Sequence, residues 1–489
     1  MSARPVEERR GSTAHGAPAG AGGGADSGAA FWTLDRAADA LRDEAAAGPL
    51  PRGGQPLTGV ATDTRTVRPG DLFVALAGER FDAHDFLADA VAKGAAGLVV
   101  ADPARAAGLG VTVLVVRDTL VALGALARYR RRAWGKRVVA VAGSNGKTST
   151  KELLRAALAS RLAVHASSGN FNNRVGVPLT LLALPDAADV AVVEMGTNLP
   201  GEIAMLRAIG EPDVAVVTSI GEEHLEGLGD LAGVLREESA IFDGTVLVVA
   251  PASQPEIAAA ARGRARHVLT AGLDAGDLRA DRWGMDADGL GWLELDGVTV
   301  RPPLRGAHNL RNTMLALATA RECGVPVADA ARGIAAMPQP SMRMAWGPLG
   351  RATLINDAYN ANPPSTIAAL ELLAGAGGGR QRVAVIGTMR ELGEHAPRLH
   401  ADIARRAVES SIDVIAGVGE YAAPLRELAP ADDPRVVTAD DVDELWRLLE
   451  PRLAPDAVIL LKASRGMRLE RMVPHLEAWA AGHSDRGGT

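Results

Sequence analysis

Residues 138–151 read Val-Val-Ala-Val-Ala-Gly-Ser-Asn-Gly-Lys-Thr-Ser-Thr-Lys, an apolar run that stops at a glycine-rich turn and passes into the helical stretch 152–158. An apolar strand that runs directly into a helix in this way belongs to a parallel sheet covered by helices on both faces. The same segment constrains the ligand. Its glycines let backbone N–H groups close on phosphate oxygens, the helix N-terminus adds the positive end of its dipole, Lys147 supplies a mobile cation and the Thr148 hydroxyl can ligate Mg²⁺. The loop is shorter than the common G-x-x-x-x-G-K-[ST] pattern, because its upstream glycine is Gly143. A nucleoside triphosphate, ATP, is expected against Gly143, Ser144, Asn145, Gly146, Lys147, Thr148 and Ser149.

The rest of the chain repeats this alternation. Residues 1–30 are rich in Gly, Ala and Ser and lack the apolar core of a secretory signal, so a disordered tail is expected there. Residues 31–134 predict a small α/β domain, with strands at 72–76, 97–100 and 111–116 and a helix over 83–93. Buried strands at 138–142, 190–194, 214–218 and 245–249 predict a central P-loop parallel-sheet ATPase domain over 135–338. A proline-containing stretch, residues 337–340, marks a linker. A third, Rossmann-like unit over 339–489 has strand candidates at 353–356, 382–386, 414–417 and 457–462. The expected class is therefore α/β in three domains.

Composition narrows the partners. A net charge of −7, with both signs interspersed, offers no basic face for nucleic acid. The single cysteine, Cys323, cannot form an internal disulfide, and no stretch has the apolar length of a membrane span. A cytoplasmic, monomeric enzyme acting on small ligands is the expectation.

In such sheets chemistry collects at the carboxyl ends of strands. Lys147 follows the first central strand, Glu194 ends the next and His224 lies just past a third, while Asp357 and Ser464 follow the first and last strands of the third unit. Mg²⁺ takes oxygen ligands from one or two carboxylates, which makes Glu194 the best candidate. His224 is less typical of Mg²⁺ and reads equally as a hydrogen-bonded packing residue.

Seven strings occur in the order found in the Mur ligases: Gly143 to Thr148, Gly169 to Asn173, Glu194 to Asn198, Glu223 to Glu226, His308-Asn309-x-x-Asn312, Asp357 to Pro363, and Lys462-x-Ser464-Arg465-Gly466-Met467. The chain resembles that family from about residue 31 to 480. The string Asp357 to Pro363 points to the branch whose substrates are UDP-MurNAc-tripeptide and D-alanyl-D-alanine. The resemblance implies ATP- and Mg²⁺-dependent amide ligation through an acyl phosphate. It also implies catalytic roles for Lys147, Glu194 and His224, with Thr148, Glu194 and His224 as metal ligands. It places His308, Asn309 and Asn312 around adenine, Arg343 near phosphate and Asp357 near ribose or phosphate.

The first domain resembles a UDP-sugar-binding module through Thr64, Arg65, Asp82 and His84, residues that also suit ordinary turns. Asn170, Asn172 and Asn173 could bind the nucleotide sugar or satisfy their own loop. Asn360, Asn362 and Ser464 are the acceptor candidates, because the third domain binds the acceptor in the resembled family. One departure stands out. Many relatives carry a lysine, carbamylated to a carboxylate, four residues before a Leu/Ile-Phe pair's phenylalanine, and here that position is Glu238. Glu238 is expected to ligate Mg²⁺ through water or to align His224; a solvent-facing acid, or Glu237 in its place, is the alternative.

Overall fold

The computed structural model describes residues 31–484, apart from 79, 80, 287, 340, 377, 431 and 432. The tail expected at 1–30 and Pro340 of the expected linker lie outside the described residues.

The central domain is built on seven strands, all parallel. Their order is Leu278–Arg279, His267–Gly272, Leu247–Pro251, Val214–Val217, Arg137–Ala142, Val190–Glu194 and Val164–Ala166. Val138 to Ala142 and Val214 to Val217 are buried on both faces, as uninterrupted Val/Ala runs require. The first strand in sequence, Arg137–Ala142, lies between Val214–Val217 and Val190–Glu194, so strand order reverses at the point from which the phosphate loop springs. The helix Ala307–Glu322 buries Leu310, Met314 and Leu317 in this core and brings its first turn to the loop.

A three-stranded antiparallel meander, Arg282–Met285, Gly291–Leu295 and Val298–Val300, follows the sheet. The sequence reading, which expected only strands separated by helices here, did not anticipate it. Its last turn is Asp296-Gly297, both at positive φ, the geometry a two-residue hairpin loop needs.

The third domain has six strands in the order Ala345–Leu349, Ala352–Asp357, Val458–Lys462, Arg382–Gly387, Val414–Val418 and Val436–Ala439. All pair in parallel except the first two, which form a hairpin. In the first domain, four parallel strands run Val60–Ala61, Leu72–Val74, Gly97–Val100 and Thr112–Val115.

The joints between domains differ. Helix Thr119–Trp134, capped by Asp118 and ended by Gly135 in the left-handed region, packs its Leu123 and Leu126 in the first domain. Its basic residues reach into the second. Arg131 donates to the carbonyls of Gly210 and Glu211 and pairs with Asp213 at 2.9 Å, and Arg130 donates to the Leu184 carbonyl. The step into the third domain instead passes through Met342 and Met344, both non-glycine residues at positive φ.

Candidate active site

The phosphate loop is held from outside by the segment that ends Val214–Val217. Ser144 N–H donates to the Ser219 carbonyl (2.8 Å), Gly221 N–H donates to Ser144 Oγ (2.9 Å) and Asn145 N–H donates to Ser219 Oγ (3.1 Å). Two glycines are obligatory here. A Cβ on Gly143, at φ +114°, would lie 2.6 Å from Thr218 Oγ1, and one on Gly146, at φ +85°, would lie 2.6 Å from Asn312 Nδ2.

Lys147 Nζ donates to the carbonyls of Gly143 and Ser144 and lies 3.3 Å from Glu223 Oε1. Burial pulls its pKa down, but the carboxylates of Glu223, Glu238 and Glu194 outweigh burial and hold it above the usual lysine range. Thr148 Oγ1 donates to Glu194 Oε2 at 2.9 Å, and Asn172 Nδ2 donates to Glu194 Oε1 at 3.0 Å. Glu194 is 1% exposed. Lys151, a residue the sequence reading passed over, is fully buried four residues beyond Lys147. Its Nζ donates to the carbonyls of Ser167 and Gly169 (2.9 Å each) and lies 3.8 Å from Glu194 Oε2.

The two acids at 237 and 238 are buried, which rules out the solvent-facing alternative, and they serve different elements. Glu237 accepts from the N–H groups of Gly201 (2.7 Å) and Ile203 (2.8 Å), capping the helix Glu202–Gly210. Glu238 lies beneath the phosphate loop: its Oε2 accepts from Gly143 N–H at 2.8 Å, and its Oε1 is buried with no hydrogen-bond partner. No hydrogen bond joins it to His224 among the described residues, so it braces the loop instead of aligning that ring. Burial pushes its carboxyl up to about 7, against the pull of Lys147.

A raised carboxyl keeps its proton in the folded chain where the unfolded chain has released it. Stability therefore falls as pH rises from 4.5 through about 7, by on the order of 3 kcal/mol. Glu238→Gln is expected to unfold at a higher temperature than the parent at pH 8 in EDTA, with the gap narrowing towards pH 5. A pH-independent gap in thermal melts would refute this.

Lys147, Thr148, Glu194 and Glu223 open into a cavity of about 900 Å³ shared by the second and third domains, while Lys151, Glu237 and Glu238 lie behind its wall. It is lined by Asn145 to Ser149, Asn170, Asn172, Asn173, Glu194, Glu223, His224, His308, Asn309 and Asn312 on one side. On the other side are Arg343, Asp357, Tyr359, Asn360, Glu391, Lys462 and Arg465. Arg174, Arg311 and Arg343 also line it and have no carboxylate partner among the described residues, which suits anionic ligands. The ring of His308 lies over Gly306, with Nε2 3.2 Å from Asn309 Nδ2, and burial lowers its pKa to about 4, so it is neutral. Asp357 pairs with Lys462 at 2.8 Å across neighbouring strand ends, and the Arg343 guanidinium stacks 4.0 Å above the Tyr359 ring.

Other candidates stand elsewhere. Asn362 caps the helix Pro363–Gly375, and its Nδ2 donates to Asn145 Oδ1 (2.9 Å) and Glu223 Oε2 (3.3 Å). Ser464 Oγ donates to the Ala361 carbonyl (3.2 Å) and accepts from Arg390 N–H (2.9 Å). Of the three acceptor candidates only Asn360 lines the cavity. Asn173 caps its own following helix by accepting from Gly176 N–H at 2.9 Å. In the first domain Arg65 pairs with Asp63, and Asp82 holds His84 at 2.6 Å while His84 Nε2 accepts from Ala101 N–H. None of Thr64, Arg65, Asp82 and His84 lines the cavity.

Three family profiles match along this architecture: Mur ligase family, catalytic domain, over residues 56–131; Mur ligase middle domain over 141–320; and Mur ligase, glutamate ligase domain, over 342–465. The chain belongs to the Mur ligase family. This Mur ligase is 34% identical over 430 residues to the UDP-N-acetylmuramoyl-tripeptide–D-alanyl-D-alanine ligase of Bacillus subtilis, covering 86% of the chain and 93% of that relative. It is 35% identical over 433 residues to the enzyme of the same name from Escherichia coli, covering 86% and 94%. A crystal structure of MurF from Acinetobacter baumannii superposes with a TM-score of 0.82 at 31% identity, over 91% of the chain and 99% of that structure. The MurF ligase of Thermotoga maritima in complex with ADP matches with a TM-score of 0.76 at 26% identity, over 87% and 98%.

Proposed function

We infer that this Mur ligase joins D-alanyl-D-alanine to UDP-MurNAc-tripeptide at the expense of ATP, releasing ADP and phosphate, in the synthesis of a peptidoglycan precursor. The observation that carries the reading is the shared cavity, in which Lys147 of the phosphate loop faces Arg343, Asp357, Asn360 and Lys462 of the third domain. A phosphoryl donor and an amine acceptor held on different domains can meet there.

In this reading the γ-phosphoryl group passes to an oxygen of the tripeptide's terminal carboxylate. The amine of D-alanyl-D-alanine then attacks the acyl carbon, phosphate leaves with that oxygen, and the amine loses a proton. Phosphoryl transfer depends on alignment and charge neutralisation, which Lys147, the loop N–H groups and the helix N-terminus supply. His308, Asn309 and Asn312 would border the base, and Asn170 and Asn172 the nucleotide sugar.

The Thr148 hydroxyl and the Glu194 carboxylate, 2.9 Å apart on the cavity wall, are hard oxygen donors that suit Mg²⁺, whereas Glu238 lies beneath the loop and does not line the cavity. His224 would join them as a further ligand. Bound there, the ion would neutralise phosphate charge. No helix among the described residues is long and apolar enough to cross a membrane. A monomer working in the cytoplasm fits this chemistry.

The test is phosphate release from ATP and Mg²⁺ with UDP-MurNAc-tripeptide, with and without D-alanyl-D-alanine, and mass spectrometry of the product. Release that requires both substrates, together with the pentapeptide mass, is expected. ATP binding without such release would overturn the reading, and release with a different amine would reassign the acceptor.

A further inference from the structure

Of the two histidines that line the cavity among the described residues, His224 and His308, it is His224 whose ring is held by another domain. It stands at the start of the short helix Leu225–Leu228 with φ +52°, and its Nδ1 is hydrogen-bonded to Glu391 Oε2 of the third domain. Glu391 is itself at φ +65°, and its carbonyl accepts from Glu226 N–H at 3.1 Å, so backbone and side chain seize the same turn. Gly393 packs against Glu226, where a Cβ would lie 3.1 Å from Glu226 Cα, and His395 Nε2 lies 3.1 Å from the Gly229 carbonyl. With Nδ1 engaged, Nε2 is left on the side of Glu223, 3.8 Å from its Oε2. Asn362 Nδ2, from the same third domain, donates to that same oxygen of Glu223 at 3.3 Å.

We propose that Glu391 is a positioning residue: docking of the third domain lets its carboxylate take the Nδ1–H of His224, which fixes the ring with Nε2 turned towards the cavity. The inference rests on the ligase reading above. It makes the geometry of a second-domain side chain depend on the domain that carries the acceptor, so a correctly aimed His224 coincides with a closed cavity. A carboxylate that holds one imidazole nitrogen fixes both the tautomer and the ring orientation, and losing such a partner costs about 10- to 100-fold in activity or metal affinity.

Glu391 is half-exposed, so its replacement is compatible with folding. Glu391→Ala is expected to lower kcat by about 10- to 100-fold with KM for ATP changed less than about threefold, and to raise the Mg²⁺ concentration needed for half-maximal rate. Glu391→Gln, whose amide oxygen can still accept from Nδ1–H, is expected to recover most of the rate. The second readout needs no turnover. In nitrogen-15 spectra of the ligand-free protein, His224 should carry its proton on Nδ1 in the parent and in Glu391→Gln, and should show mixed tautomers in Glu391→Ala. An unchanged kcat and an unchanged tautomer in Glu391→Ala would overturn the proposal. A purely structural contact would raise KM for both substrates, leave kcat intact and give no recovery by glutamine, which would also overturn it. If the parent shows no ligation, the ligase reading fails, while the tautomer still reports on Glu391.

Discussion

Lys147→Ala is expected to lower kcat by about a thousandfold or more while the chain still folds, because phosphoryl transfer leans on charge neutralisation at the loop itself, where Lys147 is the cation held by the loop carbonyls. Its Nζ already has the environment of a phosphate ligand: two loop carbonyls and the Glu223 carboxylate hold it over the helix start. Removing the cation leaves Glu223, Glu238 and Glu194 facing one another, which ordinarily destabilises a fold strongly. Here Glu238, with its carboxyl already pushed up to about 7, can take a proton and relieve the repulsion. The variant should therefore keep its far-ultraviolet dichroism and a cooperative melt while losing turnover at saturating substrates. Activity above about a tenth of the parent's would remove Lys147 from the phosphate site.

Lys151→Met should have the largest effect on stability. The side chain is fully buried, and its ammonium satisfies the Ser167 and Gly169 carbonyls while lying beside Glu194 and 3.3 Å from Glu152. Methionine fills the volume but strands two acceptors and leaves Glu194 without that counter-charge, a loss of about 3–5 kcal/mol. For a domain of this size that corresponds to a fall of about 10 °C in Tm. Because Gly169 begins the loop carrying Asn170, Asn172 and Asn173, KM for the nucleotide sugar should rise as well. Calorimetry and initial rates measure both, and a fall in Tm below about 2 °C would mean that Lys151 is not structural.

The sequence exposed what local chemistry decides. Strands 97–100 and 190–194 have the bounds that their apolar runs predict, and the loop around Lys147 joins strand to helix as its glycines require. The antiparallel pieces were harder to see. In the edge hairpin, Ala352–Asp357 matches the strand expected at 353–356, whereas its partner Ala345–Leu349 contains a proline and half-buried positions and lacks the dense apolar run of a central strand. The meander at 282–300 did carry a signal, Asp296-Gly297 between alternating residues, which the expectation of a purely parallel domain overrode. Around the cavity, residues attached to the phosphate motif were legible, whereas Lys151 and Glu391 were not, and Glu223 stood in a family string with no role assigned to it. Their meaning comes from partners remote in sequence, 167 residues away for Glu391 and His224. A lysine in a helix or an acid in a loop looks like solvated surface until folding buries it. Asn362 and Ser464 show the converse, since polar residues in a motif can be consumed by capping and loop bracing.

The unequal joints between domains have a mechanical consequence. Arg130 and Arg131, anchored to carbonyls and carboxylates of the second domain, rivet the first domain to it, whereas the third is entered through the positive-φ pair Met342 and Met344. The second domain therefore meets its neighbours by two different chemistries: ion pairs and carbonyls fasten it to the first, whereas one continuous apolar cluster runs from its sheet into that of the third. A graft of a different third domain would thus have to reproduce that apolar seam as well as bring its own counterpart of Glu391 to the edge at His224.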